Sequence, residues 1–436
     1  MNIEDVFGVS GKQIETYIAR DSVDNRFIDA INTDKQIIIY GASKQGKSAL
    51  VAKYIPDEQH ILVTLSPKTT LKDIYQSILR KCGVTLKTTY TEGTGDTSKF
   101  RAKAKIEATV AMILKTSIDA GAESSTTKKI EENYDEIEFN LELPDDVADL
   151  IKRTGNKKSI ILENFHYLPE DIQRTFAFDL RSFQDLKVKF IILGVWKEAN
   201  RLSQFNGELQ DRILEIPVEP WLEEDFRKII KKGEDILNIK FSTVITESII
   251  DNAFKSVGVL QELLKLTCIE SDVKNTQVTN KFLDEIDCYE RALKIKTEEY
   301  SGRHLRNLEA IASINNSPIH AERPLPYFLH YYIVMQILDK GYVGFNSIGL
   351  SKEALLHGIK QVHHRKDDLK GPQLLAVLKG LSDSQANKGI NPPFIAYDSN
   401  SKLLKVIDST FYFFLKNADL EEVKMEIINP IECIGI

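Results

Sequence analysis

Short apolar runs bounded by polar residues set the rhythm of the first 220 positions. Residues 36–40 (Gln-Ile-Ile-Ile-Tyr), 157–164 (Lys-Lys-Ser-Ile-Ile-Leu-Glu-Asn, an apolar run after a polar lead-in) and 188–196 (Val-Lys-Phe-Ile-Ile-Leu-Gly-Val-Trp) are too short and too apolar for surface helices and read as buried strands. The 188–196 run is apolar on both faces, as a central parallel strand covered by helices would be. Residues 213–218 alternate instead and contain Pro217, which fits an edge or terminal strand. Helical stretches separate these strands; 48–54 is one, and the polar stretch 197–211 reads as another. The alternation predicts an α/β three-layer core with a mostly parallel sheet. Residues 88–140 interrupt it with two runs of small polar residues, 91–98 and 120–127. Between them, 102–109 alternates apolar and polar but is rich in Ala, so hairpin and helix both remain open, as do a surface loop and a partner-contact element.

Beyond residue 220 the period changes. Residues 221–297, including 221–230 and 279–296, read as helices and would form a small lid. In the remainder, 305–314, 327–338, 351–359 and 371–381 read as helices. A hairpin comes next, 394–398 and 403–407 around the turn 399–402, and then a closing helix at 408–415. Helices succeeded by a hairpin is the order of a winged helix. The expected organisation is a core at 1–220 with an insertion at about 88–140, a lid at 221–297 and a winged-helix domain at 298–436.

Chemistry enters at Gly41-Ala42-Ser43-Lys44-Gln45-Gly46-Lys47-Ser48, which satisfies GxxxxGK[ST] between a strand and a helix. Two glycines let the backbone turn so that successive N–H groups face phosphate oxygens, and the N-terminus of the next helix adds positive charge there. In such a loop Lys47 reaches the β- and γ-phosphates of ATP and the Ser48 hydroxyl binds Mg²⁺. The metal needs an acid at the end of another buried strand, and Glu163 follows the apolar run within 157–164. Asn164 comes directly after it and cannot accept a proton. Glu163 therefore either serves both metal and water, or hydrolysis is slow and ATP acts mainly as a switch. Arg212, just before the last strand, is either a guanidinium for a γ-phosphate held by a neighbouring subunit or a surface partner of Glu208 or Asp211.

These segments resemble P-loop ATPases of the AAA+/STAND group, near the prokaryotic origin-recognition and archaeal-ATPase branches. Tyr17, Arg20, Val23, Asp24 and Phe27 resemble the adenine-side motif ahead of the first core strand, and Gly41–Ser48 the Walker A loop. Residues 160–168 resemble Walker B, 190–196 the sensor-1 strand, and 209–221, with Arg212, the segment carrying the arginine finger. The likeness spans roughly residues 10–290. It implies an ATP- and Mg²⁺-binding protein that assembles into homo-oligomers and engages a protein partner, with roles such as phage defence or mobile-element control. The alternatives are a DNA-binding loader or target selector acting through the winged helix, and a scaffold that binds ATP for stability without turnover.

Composition narrows the remainder. With 57 Lys plus Arg against 64 Asp plus Glu the net charge is −7, without the basic signature of an obligate nucleic-acid coat. Any DNA contact would fall on 351–405, where Lys360, His363, His364, Arg365, Lys366, Lys370, Lys402 and Lys405 lie, and docking of a protein on the same unit is the alternative. The most apolar stretch, 327–338, contains His330 and Gln336 and is shorter than the ~20 residues of a membrane span. The four cysteines (Cys82, Cys268, Cys288, Cys433) form no CxxC pair, and an acidic N-terminus does not read as a signal peptide. The expectation is a cytoplasmic protein without membrane contact.

Overall fold

The computed structural model describes residues 1–9, 14–92, 99–106, 137–196, 200–314, 324–345 and 348–432. The chain divides into two compact units. One comprises residues 19–41 and 47–218; the other comprises 1–18, 42–46 and 219–436. A single turn, α1 (Ile3–Val6), opens the chain and belongs to the latter, helical unit.

The sheet unit contains α2 (Asp21–Ile31), β1 (Gln36–Tyr40), α3 (Lys47–Tyr54), β2 (His60–Thr64) and α4 (Leu71–Lys81). After β3 (Val84–Glu92), β4 (Lys99–Ile106) and β5 (Ile137–Asn140) it continues through α5 (Pro144–Arg153), β6 (Ser159–Glu163), α6 (Glu170–Asp185), β7 (Phe190–Gly194) and β8 (Ile213–Pro217). Its central sheet has the order β2-β6-β7-β1-β8, and every neighbouring pair is parallel. Side-chain alternation explains the three layers. Ile38, Ile160, Leu162, Phe190 and Ile192 join Ile74, Ile78, Phe176, Leu180 and Phe183 on one side. Ile37, Ile39, Ile161, Ile191 and Leu193 join Val23, Phe27, Leu50 and Val51 on the other. Burying each such side chain stabilises the fold by about 1.5–3 kcal/mol. The amide that opens β1, Gln36, is fully buried and satisfied. Its NH₂ donates to Val188 O at 3.0 Å and Leu180 O at 3.3 Å, and its carbonyl accepts from Phe190 N at 2.6 Å.

β7 is central and β8 lies at an edge, where Pro217 removes no ladder hydrogen bond from a further strand. The helix expected over 197–211 is not present among its described residues. Residues 200–211 form turns and one short 3₁₀ segment, Gly207–Leu209, capped by the Asn206 side chain. Asn200 takes a left-handed backbone (φ 61°), and its N–H donates to the Glu215 carboxylate at 2.7 Å, which anchors the turn and precludes a continuous helix.

The inserted segment is a hairpin where it is described. β3, β4 and β5 form an antiparallel sheet in that order, with β4 in the middle. Val84 and Phe139 from its ends belong to the same apolar cluster as Ile78 of α4 and Val147 of α5. Residues 93–98 and 107–136, which take in most of the polar run 91–98 and all of 120–127, lie outside the described residues.

The helical unit continues through α7 (Glu223–Leu237), β9 (Ile239–Phe241), α8 (Thr243–Asn252), α9 (Val257–Glu270), β10 (Lys281–Leu283) and α10 (Ile286–Ala312). The run 279–296, expected as helix throughout, begins as a strand, because 281–283 pair in parallel with β9. Phe7 packs against α7 at Gly233, where an added Cβ would come within 2.0 Å of the ring. α10 runs unbroken through residues 297 and 298, so no linker separates the lid segment from the C-terminal elements. After it come α11 (Leu329–Phe345, broken at Gly341), β11 (Leu350–Ser351), α12 (Lys352–Val362), α13 (Gly371–Lys379) and α14 (Leu381–Asn387). The chain then forms β12 (Ile395–Asp398), β13 (Leu403–Val406), α15 (Ser409–Asn417) and α16 (Leu420–Glu426). The antiparallel sheet β11-β13-β12 joins the hairpin to the strand before α12. α14 was not expected; its polar residues hide one buried amide, Gln385, whose NH₂ donates to Ile395 O at 2.8 Å.

Candidate functional site

The loop after β1 has the backbone its glycines predict. Gly41 (φ 151°) and Gly46 (φ 86°) occupy conformations that side chains rarely adopt, and Lys44 (φ 59°) sits in the left-handed region between them. On the sheet side, Lys47 opens α3 and its ammonium donates to Gly41 O at 2.9 Å. The neighbouring Ser48 hydroxyl donates to Glu163 Oε1 at 2.8 Å. These two residues are 115 positions apart in the chain, and the sheet order explains their meeting. β6 and β1 flank β7 with their C-terminal ends at the same rim, about 10 Å apart at ~4.8 Å per strand, a gap that α3's first turn and a Glu side chain can bridge. A hydroxyl and a carboxylate converging in this way are the hard oxygen donors that a magnesium ion takes.

Asn164, directly after Glu163, has a left-handed backbone (φ 63°, ψ 35°) and starts the short 3₁₀ segment Phe165–Tyr167. Asn tolerates that conformation better than a glutamate does, which gives the amide here a local structural reason. His166, next in the turn, is a neutral imidazole. Burial pushes its pKa down to about 4, and the nearby charges of Lys47 and Arg201 add to the effect. Its Nδ1 has no hydrogen-bond partner among the described residues. Beyond the end of β7 the chain places an aromatic: Trp196 stacks on Tyr40 at 6.4 Å and lies against Gly194, where an added Cβ would be 1.7 Å from the indole. The Arg201 guanidinium lies 5.5 Å from the same indole. His166, Trp196 and Arg201 drew no individual role from the sequence, since each is brought toward this rim by a different strand end or turn.

Residues 42–46 cluster with the helical unit, and two contacts define their place there. Ala42 N donates to Glu219 Oε2 at 2.6 Å. At the start of α9, a Cβ on Gly258 would fall 2.5 Å from Lys44 Cβ and 2.8 Å from Lys44 O, so only glycine permits this approach. Gln45 is 1% exposed, and neither its amide nitrogen nor its oxygen has a hydrogen-bond partner among the described residues. A buried amide left open in this way is costly in isolation and suits a site that accepts a polar ligand. Ser43 is exposed.

The other candidate residues have partners outside the loop. The Arg20 guanidinium donates to Val218 O at 2.9 Å, and its backbone N–H to Asp24 Oδ2 at 2.8 Å. The Tyr17 carbonyl accepts from Lys232 Nζ at 2.9 Å. Arg212 pairs with Asp185 at the end of α6, not with Glu208 or Asp211, and its carbonyl accepts from Gln36 N. It therefore lies at the opposite end of β1 from the loop, about 17 Å away at ~3.3 Å per residue. In the C-terminal segment four of the eight candidate phosphate-binding groups are already engaged. His363 Nε2 bonds Tyr327 O at 2.8 Å while its Nδ1 accepts from Arg365 N at 2.8 Å; burial holds this imidazole below the usual range. His364 bridges Tyr332 Oη and Pro326 O, and Arg365 donates to Leu325 O and Asp368. Lys405 pairs with Asp398 across the hairpin at 2.7 Å.

No family profile matches the chain, and no curated protein matches it by sequence. Solved structures do match. A Walker-type ATPase of Pyrococcus abyssi superposes with a TM-score of 0.50 at 13% identity, covering 94% of this chain and 99% of that one. A RuvB variant of Thermotoga maritima gives 0.38 at 13% identity over 92% and 96% of the two chains. The Orc1 protein of Aeropyrum pernix in complex with DNA gives 0.37 at 9% over 92% and 93%. At such identities the first of these speaks for the fold alone. With the sheet order and the loop, it makes this chain a three-layer α/β protein with a P-loop ATPase fold. No helix among the described residues is long and apolar enough to cross a membrane.

Proposed function

We propose that the chain is an ATP-binding, slowly hydrolysing molecular switch whose nucleotide state controls self-assembly and engagement of a partner. The observation that carries this reading is the Ser48–Glu163 pair at 2.8 Å, at the root of a loop whose glycines hold positive φ. Lys47 and the loop N–H groups would hold the terminal phosphates, and Ser48 with Glu163 would hold Mg²⁺, which neutralises charge on those phosphates when bound. Because residues 42–46 cluster with the helical unit, and Lys44 touches α9 at Gly258, occupancy of the loop would be felt by that unit. Slow turnover is supported by Asn164, whose amide cannot take a proton from water. Arg212 lies too far along β1 to serve this chain's own loop, so a catalytic role for it requires a neighbouring copy.

The test is ATP affinity by calorimetry, and particle size by light scattering with ADP, ATP and a non-hydrolysable analogue. Wild type is expected to bind ATP and change size with it, with turnover well below the ~1–100 s⁻¹ of kinases. Lys47→Ala should lose both affinity and the size change; if neither moves, the reading is wrong. A second reading, a DNA-binding loader, is favoured by the winged-helix order of elements over 350–417. It predicts a gel shift with duplex DNA that survives ~0.1 M salt and depends on that segment.

A further inference from the structure

Asn164, directly after β6, supplies no carboxylate or other basic atom, and the next side chain along the turn that does carry a basic atom is His166. The turn holds that ring in place. Phe165 is fully buried, Tyr167 N donates to Asn164 O at 3.0 Å, and the His166 and Tyr167 rings pack with centroids 4.2 Å apart. The His166 Nδ1 is shut away from solvent, yet it has no hydrogen-bond partner among the described residues. Trp196, 4% exposed, presents a second such atom, its indole Nε1.

These two orphans share a neighbourhood. β6 and β7 pair in parallel, so the turn after β6 and residue 196 after β7 leave the sheet at one rim. That is also the rim where Lys47 and Ser48 open α3, and the Lys47 and Arg201 charges both act on the His166 ring. Leaving a buried polar atom unpaired is costly, so two at one rim point to partners that a bound substrate and its water would provide.

We infer that His166 is the residue that orients the attacking water, accepting its hydrogen bond at Nδ1 in place of the carboxylate that Asn164 does not supply. The inference rests on the ATP reading above. A lone pair of the water oxygen forms the new bond to the γ-phosphorus. The bond from that phosphorus to the β,γ-bridging oxygen breaks, and its electron pair leaves on ADP. Both protons of the water stay with the released phosphate, which leaves as dihydrogen phosphate. The imidazole fixes the direction of the O–H and is not consumed. A neutral ring whose pKa is held low is a weak base, so it lines up the water without keeping the proton, which agrees with slow turnover.

The experiment measures single-turnover hydrolysis of saturating ATP·Mg²⁺ by the full chain, with ATP affinity by calorimetry in parallel. His166→Ala is expected to slow hydrolysis at least tenfold while affinity stays within twofold. His166→Asn, whose amide oxygen falls near the place of Nδ1, should recover much of the rate. His166→Gln, which reaches toward the place of Nε2, should not, and added imidazole should partly restore His166→Ala. Equal rates in wild type and His166→Ala with normal affinity overturn this inference and leave the switch reading intact. Asn and Gln variants that are equally slow, without imidazole rescue, overturn it in favour of a purely structural ring. Failure of wild type to bind ATP overturns both readings.

Discussion

Single residues carry the sharpest constraints. Gly258 touches Lys44 so closely that Gly258→Val must displace the phosphate loop. This variant is expected to bind ATP at least tenfold more weakly by calorimetry while keeping the helical content of wild type. Histidines give a second prediction. Burial lowers His166 and His330 from the ordinary 6.5 to about 4 each. Between those values the unfolded chain holds protons that the folded one does not, so stability falls as pH drops from 6.5 toward 4. Each such group contributes up to about 1.4 kcal/mol per pH unit. The midpoint of urea unfolding should decline across that window, and His330→Gln should make the decline shallower. Gly41, Gly46, Lys47, Ser48 and Glu163 stand out in the chain because the GxxxxGK[ST] pattern is local and a strand-end acid follows from one apolar run. Glu219, His166 and Arg201 were not, since nothing in their own neighbourhoods indicates what they approach.

Elements obey local rules where the rules agree. α4 opens with Thr70, whose hydroxyl accepts from Asp73 N at 3.2 Å while the Asp73 carboxylate accepts from Thr70 N at 2.9 Å. Thr70→Ala is expected to cost about 1 kcal/mol in chemical denaturation, without affecting ATP binding. β1, β6 and β7 were legible because short apolar runs of this kind suit buried strands, and β8 because its alternation and Pro217 suit an edge. The segment 102–109 left two choices open, and over its described part, 102–106, pairing decided between them: β3 on one side and β5 on the other satisfy the backbone of β4. Residues 197–211 had helical composition, yet Glu215 ties down Asn200 and the described part is turn. Residues 281–283 look like the start of a helix and instead add a strand to β9, a contact made about 40 positions away.

For the molecule as a whole, Arg212 is where the proposed self-assembly can be tested. Arg212→Ala and Asp185→Ala both remove the same surface ion pair, worth no more than about 1 kcal/mol. Only the former should lower ATP turnover, and only under conditions where the protein self-associates; equal effects of the two would return Arg212 to a structural role. The sequence by itself determined the α/β class, the phosphate loop, the acid that faces it and the hairpin near the C-terminus, because each is written in a few consecutive residues with one period or one motif. Tertiary structure alone determined the sheet order that puts β7 between β1 and β6, the pairing of Glu163 with Ser48, and the engagement of His363, His364 and Arg365 by Leu325, Pro326, Tyr327 and Tyr332. It likewise brought His166 and Trp196 to the rim that carries Lys47. Those outcomes depend on contacts between segments far apart in the chain, and local pattern carries no information about which distant partner a surface will find.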